Sequence, residues 1–142
     1  MMTSSELERL VRLGKLKREP PLGSELKGLA ESGKARLADA QRTDLSLQSR
    51  FDLAYNAAHA LSLAALRHHG YRSDSRYAVF QVLPHTLGLP APVWRVLAKA
   101  HERRNLSEYE GIVEVDARLL SDLIDAAEEV RARVEELGTP GE

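Results

Sequence analysis

The residues best suited to chemistry lie between positions 92 and 111, where the sequence reads PVWRVLAKAHERRNLSEYEG. After Ala100 this stretch leaves its apolar pattern and becomes densely polar, through His101, Arg103, Arg104, Asn105, Ser107 and Tyr109. Guanidinium groups bind phosphate oxygens through paired N–H donors, and amides and hydroxyls can complete such a site. One interpretation is therefore a phosphate-binding site. The alternative is a solvated last helical turn whose basic residues complement the helix dipole.

A second polar group lies earlier in the chain, on the longest predicted helix. Asp52, Asn56 and His59 are spaced by four and three positions, so they share one side of that helix. In one interpretation they form a second wall of the phosphate site and orient its cationic groups. In the other they form an exposed flank, or an interhelical network that fixes the packing of the helices.

Histidine and cysteine patterns predict no metal site and no bound cofactor. The chain has no cysteine, so thiolate ligands and a cysteine nucleophile are excluded. His68 and His69 end a predicted helix, where imidazoles complement the dipole, and no carboxylates accompany them at a spacing typical of zinc sites. The sequence also lacks a Gly-rich phosphate loop, an HExxH helix, a nucleophile elbow and a calcium loop.

Helical periodicity, capping residues and helix breakers predict the elements that position these side chains. Pro20 and Pro21 cannot continue a helix, so residues 19–23 should form a hinge. The first three expected helices cover 4–18, 24–41 and 43–69, with Ser24 as the cap of the second and Gly70 as the stop of the third. A further helical segment begins at Ser73 or Asp74 and is kinked or ended at Pro84. The last two expected helices cover 92–110 and 116–138. The run 112–115 is β-like but too short to build a sheet.

We therefore predict an all-α fold, an up-and-down antiparallel bundle of four to five main helices with an extra N-terminal helical segment. Residues 1–142 should form a single domain, with an N-terminal helical arm at 1–43 and the bundle core at 44–138. The 43–69 helix should be central, because apolar residues follow one another every four and three positions at Leu47, Phe51, Ala54, Ala58, Leu61 and Ala65. Together with the amphipathic last helix, this face exceeds what a small bundle readily buries, which predicts a homodimer.

Composition limits the function classes. The 20 basic and 21 acidic residues give a formal charge of −1, so nucleic-acid binding would need a local basic patch. The longest apolar stretch falls short of the roughly 20 residues that cross a bilayer, which predicts no membrane association. The start of the chain lacks the pattern of a secretory signal, and with no cysteine this favours the cytoplasm.

Residues 50–71, RFDLAYNAAHALSLAALRHHGY, together with residues 104–111, RNLSEYEG, resemble the HEPN family of small helical domains. The resemblance covers roughly residues 44–137. It implies a four- to five-helix up-and-down bundle, usually dimeric. Many HEPN domains are metal-independent ribonucleases, including toxins paired with a nucleotidyltransferase-like antitoxin, and others bind RNA or nucleotides without cleaving.

The family's motif is an arginine, often followed by asparagine, and then a histidine after four to six intervening residues. Arg104 and Asn105 match its first half, and Tyr109 stands at the histidine position. The resemblance thus implies Arg104, Asn105 and Tyr109 as catalytic residues. The RNA- or nucleotide-binding residues that we predict around them are Asp52, Asn56, His59, His101 and Arg103.

Tyr109 changes the chemistry that the motif implies. Metal-independent RNA cleavage needs a base for the ribose 2′-hydroxyl proton, an acid for the leaving oxygen and a cation for the phosphorane. Tyrosine has a pKa near 10, against about 6.5 for histidine, so Tyr109 is a poor base at neutral pH but can donate a proton or hydrogen bond. Arg95 and His101 also satisfy the loose spacing, without the asparagine.

Two functional hypotheses follow. In the first, the chain is a HEPN-like domain that interacts with RNA or nucleotides, either as a metal-independent endoribonuclease or toxin component, or as a binding protein. In the second, it is a non-catalytic helical partner subunit whose polar helix end is only surface. The direction of Arg104 and Tyr109 distinguishes the two, because a binding site requires both to face a polar cleft.

Overall fold

The computed structural model describes residues 5–110 and 115–138, apart from the side chains of residues 107–110. Within these ranges the chain forms seven helices and one two-stranded ribbon, which confirms the predicted all-α helical bundle. The elements are α1 (Ser5–Arg12), β1 (Lys17–Arg18), α2 (Gly23–Ala40), α3 (Leu47–His68), β2 (Tyr71–Arg72), α4 (Arg76–Gln81), α5 (Leu83–Thr86), α6 (Ala91–Glu110) and α7 (Ala117–Glu136). Most of the β-like run at 112–115 lies outside the described residues.

Helix α3 is the central element, as its apolar spacing predicted. The Ser46 hydroxyl caps it by accepting from the Ser49 amide, and Gly70 follows its C-terminus with a φ of 88° that suits glycine. It contacts α2, α4, α5, α6 and α7. Its predicted apolar face is buried from Phe51 through Ala65, whereas Leu47 is exposed.

Helix α2 packs closely against α3 at a buried glycine. A Cβ atom on Gly33 would lie 2.6 Å from the Leu61 Cγ and 3.3 Å from the Ala57 carbonyl oxygen. Because backbone atoms stand on one side of this position, relaxation of Leu61 alone cannot make room for a methyl group. The small residues at this crossing therefore set the distance between the two helices.

Gly33→Ala should destabilise the protein by about 1–3 kcal/mol, the usual cost of overpacking a tight contact. The matched control is Gly28→Ala in the same helix, since a Cβ there meets nothing within 4 Å. Gly28→Ala should stabilise by about 0.5–1 kcal/mol, the difference in helix propensity. Urea denaturation of the two variants measures both effects, and equal shifts would contradict the tight crossing.

The N-terminal arm departs from its predicted form. Helix α1 ends at Arg12, six residues before the predicted end at 18, and Gly14 adopts a φ of 75° that helix geometry does not allow. Beyond this turn, Lys17 and Arg18 pair antiparallel with β2. The arm packs on the C-terminal part of α3 through a second apolar cluster, which contains Leu7, Leu10, Leu16, Leu66, Tyr71, Val79 and Val82.

Helix α3 begins at Leu47, four residues after the predicted start at 43, and the other boundaries differ from prediction mainly at their caps. The residue before α2 is Leu22, which makes no side-chain cap, and Ser75 caps α4 in place of Ser73 or Asp74. Pro84 does not kink α4, because that helix has ended at Gln81 and the proline lies in the first turn of α5. Helix α7 follows the predicted start at 116, and the Asp116 carboxylate caps it by accepting from the Leu119 amide at 2.6 Å.

The apolar stripe of α7 faces α3 and α6. Leu120, Leu123, Ala127 and Val130 are buried within the chain, and Ile124, Val134 and Leu137 are partly buried beside them. No helix in the described part of the chain combines the length and apolar character needed to cross a bilayer.

Candidate functional site

The polar centre of the bundle is built around Tyr55, a fully buried side chain on α3. The Arg76 guanidinium of α4 lies 5.5 Å from the centre of its ring, and the Arg104 guanidinium of α6 lies 5.1 Å from it. Both distances are within the range of cation–π attraction. The fold therefore brings cations from two separate helices to one aromatic ring.

The Tyr55 hydroxyl bonds to His101 on α6, with 2.8 Å between the Tyr55 Oη and the His101 Nδ1. Burial raises the pKa of Tyr55, and the charges of Arg76 and Arg104 oppose that rise only in part. The phenol is therefore neutral at physiological pH and can either donate or accept. We call Tyr55, Arg76, His101, Arg104 and Asn105 the Tyr55 cluster.

The second His101 nitrogen faces Asn105, with 3.2 Å between the His101 Nε2 and the Asn105 Nδ2. In this arrangement the amide donates to a neutral imidazole, and the Nδ1 hydrogen is donated to Tyr55. A protonated imidazole would donate at both nitrogens, which requires the Asn105 carbonyl oxygen to turn towards Nε2. Both protonation states of His101 can thus be held by the same two neighbours.

The residues of the predicted polar stripe on α3, which are Asp52, Asn56 and His59, have different surroundings in the structure. The Asn56 carbonyl oxygen accepts from the Arg76 Nη1 at 3.2 Å, and the Asn56 amide donates to the Asp52 backbone oxygen at 2.9 Å. Asn56 therefore orients one of the cations at the Tyr55 cluster. The Asp52 side chain lies on the exposed side of the helix.

His59, the third stripe residue, packs edge-on against Phe80, with 6.1 Å between the ring centres. Burial lowers the pKa of His59 to about 4, and repulsion from Arg76, from His101 when it is protonated, and from Arg104 contributes to the shift. The ring is therefore neutral at pH 7. The His59 ring lies close enough to Arg76 and Arg104 for their charges to act on it, and it carries no charge itself.

Arg103 and Arg104 are adjacent in sequence but serve different surfaces. Arg104 lies over Tyr55, whereas Arg103 lines a groove between α6 and the start of α7. The other residues of that groove are Arg95, Val96, Lys99, Asp116, Arg118, Leu119 and Asp122. The structure does not place Arg103 in the Tyr55 cluster, although the sequence grouped the two arginines.

Position 109 lies in α6, one turn beyond Asn105, but the Tyr109 and Ser107 side chains are outside the described residues. The motif that the resemblance implies is therefore seen in its Arg104 and Asn105 half. His101, one turn before Asn105, supplies an imidazole to the same cluster.

His68 and His69, at the C-terminal end of α3, contact neighbouring groups of the chain. The His69 Nε2 donates to the Thr86 carbonyl oxygen at 2.7 Å, and the His68 ring lies perpendicular to it at 5.4 Å. Among the residues described, no three His, Asp or Glu side chains are grouped closely enough to hold a metal ion.

Comparison with known proteins assigns the chain to no family. No family model matches it, and no curated protein matches it in sequence. A functional assignment therefore depends on the chemistry of the Tyr55 cluster and of the surfaces around it.

Sequence reasoning missed Tyr55 and Arg76. For Tyr55 a signal was present, because it lies three residues after Asp52 and four before His59 and thus belongs to the same stripe. For Arg76 there was no local signal, since its partners come from α3 and reach it only through the packing of α4.

Proposed function

We propose that this chain is a HEPN-like domain that binds the phosphate of RNA or of a nucleotide at the Tyr55 cluster. The observation that carries the proposal is the convergence of the Arg76 and Arg104 guanidiniums on one ring, beside the His101 imidazole. Both guanidiniums lie within cation–π range of the same ring, so an anion that reaches this ring meets positively charged groups from α4 and from α6. Phosphate suits the position because guanidinium N–H groups pair with its oxygens.

The resemblance noted in the sequence supports the same residues. Arg104 and Asn105 match the first half of the HEPN motif, and both belong to the Tyr55 cluster. The rival hypothesis of a purely structural partner subunit expects Arg104 to extend into solvent. The position of Arg104 over Tyr55, with partial burial, agrees with a site for this residue, whereas the Tyr109 side chain lies outside the described residues.

The catalytic form of the proposal is metal-independent cleavage of RNA. A base takes the ribose 2′-hydroxyl proton, the 2′ oxygen attacks the adjacent phosphorus, and an acid protonates the departing 5′ oxygen. Arg104 and Arg76 would stabilise the charged phosphorane. His101 can act as the base once the substrate hydroxyl replaces the Asn105 amide at its Nε2, and Tyr109 can act as the acid. This assignment replaces the motif histidine by an imidazole two turns earlier in α6.

The wider proposal includes a cytoplasmic homodimer paired with a nucleotidyltransferase-type antitoxin. The apolar faces of α3 and α7 that prompted the dimer prediction are largely buried within the chain, so they give it no support. Sedimentation would measure the mass in solution. A nucleotidyltransferase gene next to this one would support the antitoxin.

Arg104→Ala should weaken binding of a labelled single-stranded RNA about 10- to 100-fold, because a lost charge-assisted contact typically costs about 1.5–3 kcal/mol. The matched control is Arg103→Ala, which removes the same charge from the neighbouring position but from a different groove. It should weaken binding only a few-fold. Fluorescence anisotropy at fixed salt concentration measures both variants.

Cleavage is tested with the same RNA in excess chelator. His101→Ala and Arg104→Ala should each abolish any cleavage by the wild-type protein, whereas Tyr109→His should raise it, since imidazole titrates near neutral pH. Unchanged RNA binding by Arg104→Ala, together with a lower melting temperature, would make this arginine structural and favour the partner-subunit hypothesis.

A further inference from the structure

A second surface adjoins the Tyr55 cluster, and it is aromatic. Tyr77 of α4 and Trp94 of α6 meet edge to face, with ring centres 6.2 Å apart and planes at 89°. They line an open groove of about 490 Å³ with Arg95, Ala98, Lys99, His101, Glu102 and Asn105. His101 and Asn105 belong to both surfaces, so the groove is continuous with the cluster.

The rings form an uninterrupted series from the surface into the core. The ring centres of Tyr77 and His101 are 6.4 Å apart. The ring centres of His101 and Tyr55 are 6.2 Å apart, and these two rings are nearly parallel. Tyr77 is 43% exposed, although the three residues that follow it in α4 are buried. The Tyr77 ring contacts Trp94 and His101, and its exposed part is accessible to a ligand.

The charges beside the rings favour an anionic ligand. Arg95 and Lys99 line this groove together with one carboxylate, that of Glu102, and they also line the neighbouring groove that contains Asp116 and Asp122. Aromatic faces next to basic side chains are the combination that binds single-stranded nucleic acid, because bases stack on the rings and phosphates pair with the cations. Two rings at right angles form two walls, so a flat group stacked on one ring abuts the other.

We propose that the Tyr77–Trp94 groove is a stacking site for one unpaired nucleobase whose phosphate is bound at the Tyr55 cluster. This inference rests on the proposed function and deepens it, because it makes an unstacked base part of what the protein recognises. A base held in a duplex cannot enter, since both of its faces are covered by its neighbours. The base can belong to a single-stranded RNA or to a free nucleotide, which offer the same chemistry.

Trp94 is the single tryptophan of the chain, so its fluorescence reports directly on the groove. A single-stranded RNA of ten nucleotides should quench it, whereas a strand of equal length without bases and an RNA duplex should not. Quenching by adenosine monophosphate at the same concentration would identify a free nucleotide as the occupant. Quenching of Trp94 by the oligonucleotide but not by adenosine monophosphate would identify RNA as the occupant. Either result supports the stacking site.

Tyr77→Leu should weaken binding of the single-stranded RNA about fivefold to 100-fold, the range for loss of one stacked base, and leave binding of the base-free strand unchanged. Tyr77→Phe retains the ring and should bind as the wild type does. Arg104→Ala should weaken binding of both strands equally, since it removes a phosphate contact.

The outcomes separate the two proposals. If both strands bind equally, Tyr77→Leu has no effect and Arg104→Ala weakens both, the stacking site is wrong and phosphate binding at the cluster stands. If no strand binds to the wild-type protein and the nucleotide causes no quenching, both proposals fail.

Discussion

Arg67→Ala should lower the free energy of unfolding by about 1–3 kcal/mol, the cost of leaving a buried acceptor without its donor, because the Arg67 side chain is buried but the carboxylates that it binds are partly exposed. Arg67 is 1% exposed, on α3 near its C-terminus. It donates to the Glu25 carboxylate at 2.5 Å and to the backbone oxygens of Glu19, Pro20 and Tyr71 at 2.8, 2.8 and 3.3 Å. Its fifth donor lies near the Glu19 carboxylate, with an N···O distance of 3.3 Å.

These contacts explain why the predicted hinge at 19–23 has a defined structure. Pro20 lacks an amide hydrogen, so its segment cannot satisfy its carbonyl oxygens by forming a helix. Arg67 supplies the donors and fixes the hinge on α3. The hydrogen bond from Arg67 also lowers the pKa of Glu25. Truncation would remove the donor from one buried carbonyl oxygen, that of Tyr71, and from the partly buried carbonyl oxygens of Glu19 and Pro20.

Arg72→Ala is the matched control, because Arg72 contacts the same carboxylates from a more exposed position. It bonds to Glu19 at 2.5 Å and to Glu25 at 2.8 Å, with 35% of its side chain exposed. Exposed ion pairs contribute about 0–1 kcal/mol. Chemical denaturation compares the two variants, and an equal loss of stability in both would show that burial of Arg67 adds nothing.

The fold could be predicted where its signals are local. Ser46, Gly70 and Asp116 lie next to the helix ends that they cap or terminate, and the alternation of four and three positions marks the buried face of α3. Such patterns depend on neighbours within a turn or two of helix, so one sequence contains them in full.

The site could be predicted only in part, for the opposite reason. Arg104, Asn105 and His101 stand within five positions of one another and were recognised together. Arg76 reaches Asn56 across 20 positions, and Arg67 reaches Glu25 across 42. No periodicity encodes such contacts, because they depend on how whole helices pack.

Stability should fall as the pH is lowered from about 6.5 to about 4, through protonation of His59. The pKa of His59 is lowered to about 4 in the folded protein, against 6.5 for the unfolded side chain. Between these values the unfolded chain binds a proton that the folded chain does not, so acid favours unfolding. The loss is up to about 3.5 kcal/mol, at about 1.4 kcal/mol for each unit of pKa difference, and it is complete below the folded pKa.

His59→Gln isolates this contribution, because it removes the titrating group and keeps a polar side chain of similar size. The difference in unfolding free energy between wild type and variant should change between pH 7 and pH 4, then level off. A constant difference would mean that His59 titrates normally. Burial is the largest cause of the lowered His59 pKa, and the charge of Arg76 is the second. Arg76→Met should therefore raise the His59 pKa only part of the way to 6.5. NMR of the His59 ring protons measures this pKa. A complete return would mean that charge, and not burial, keeps this histidine neutral.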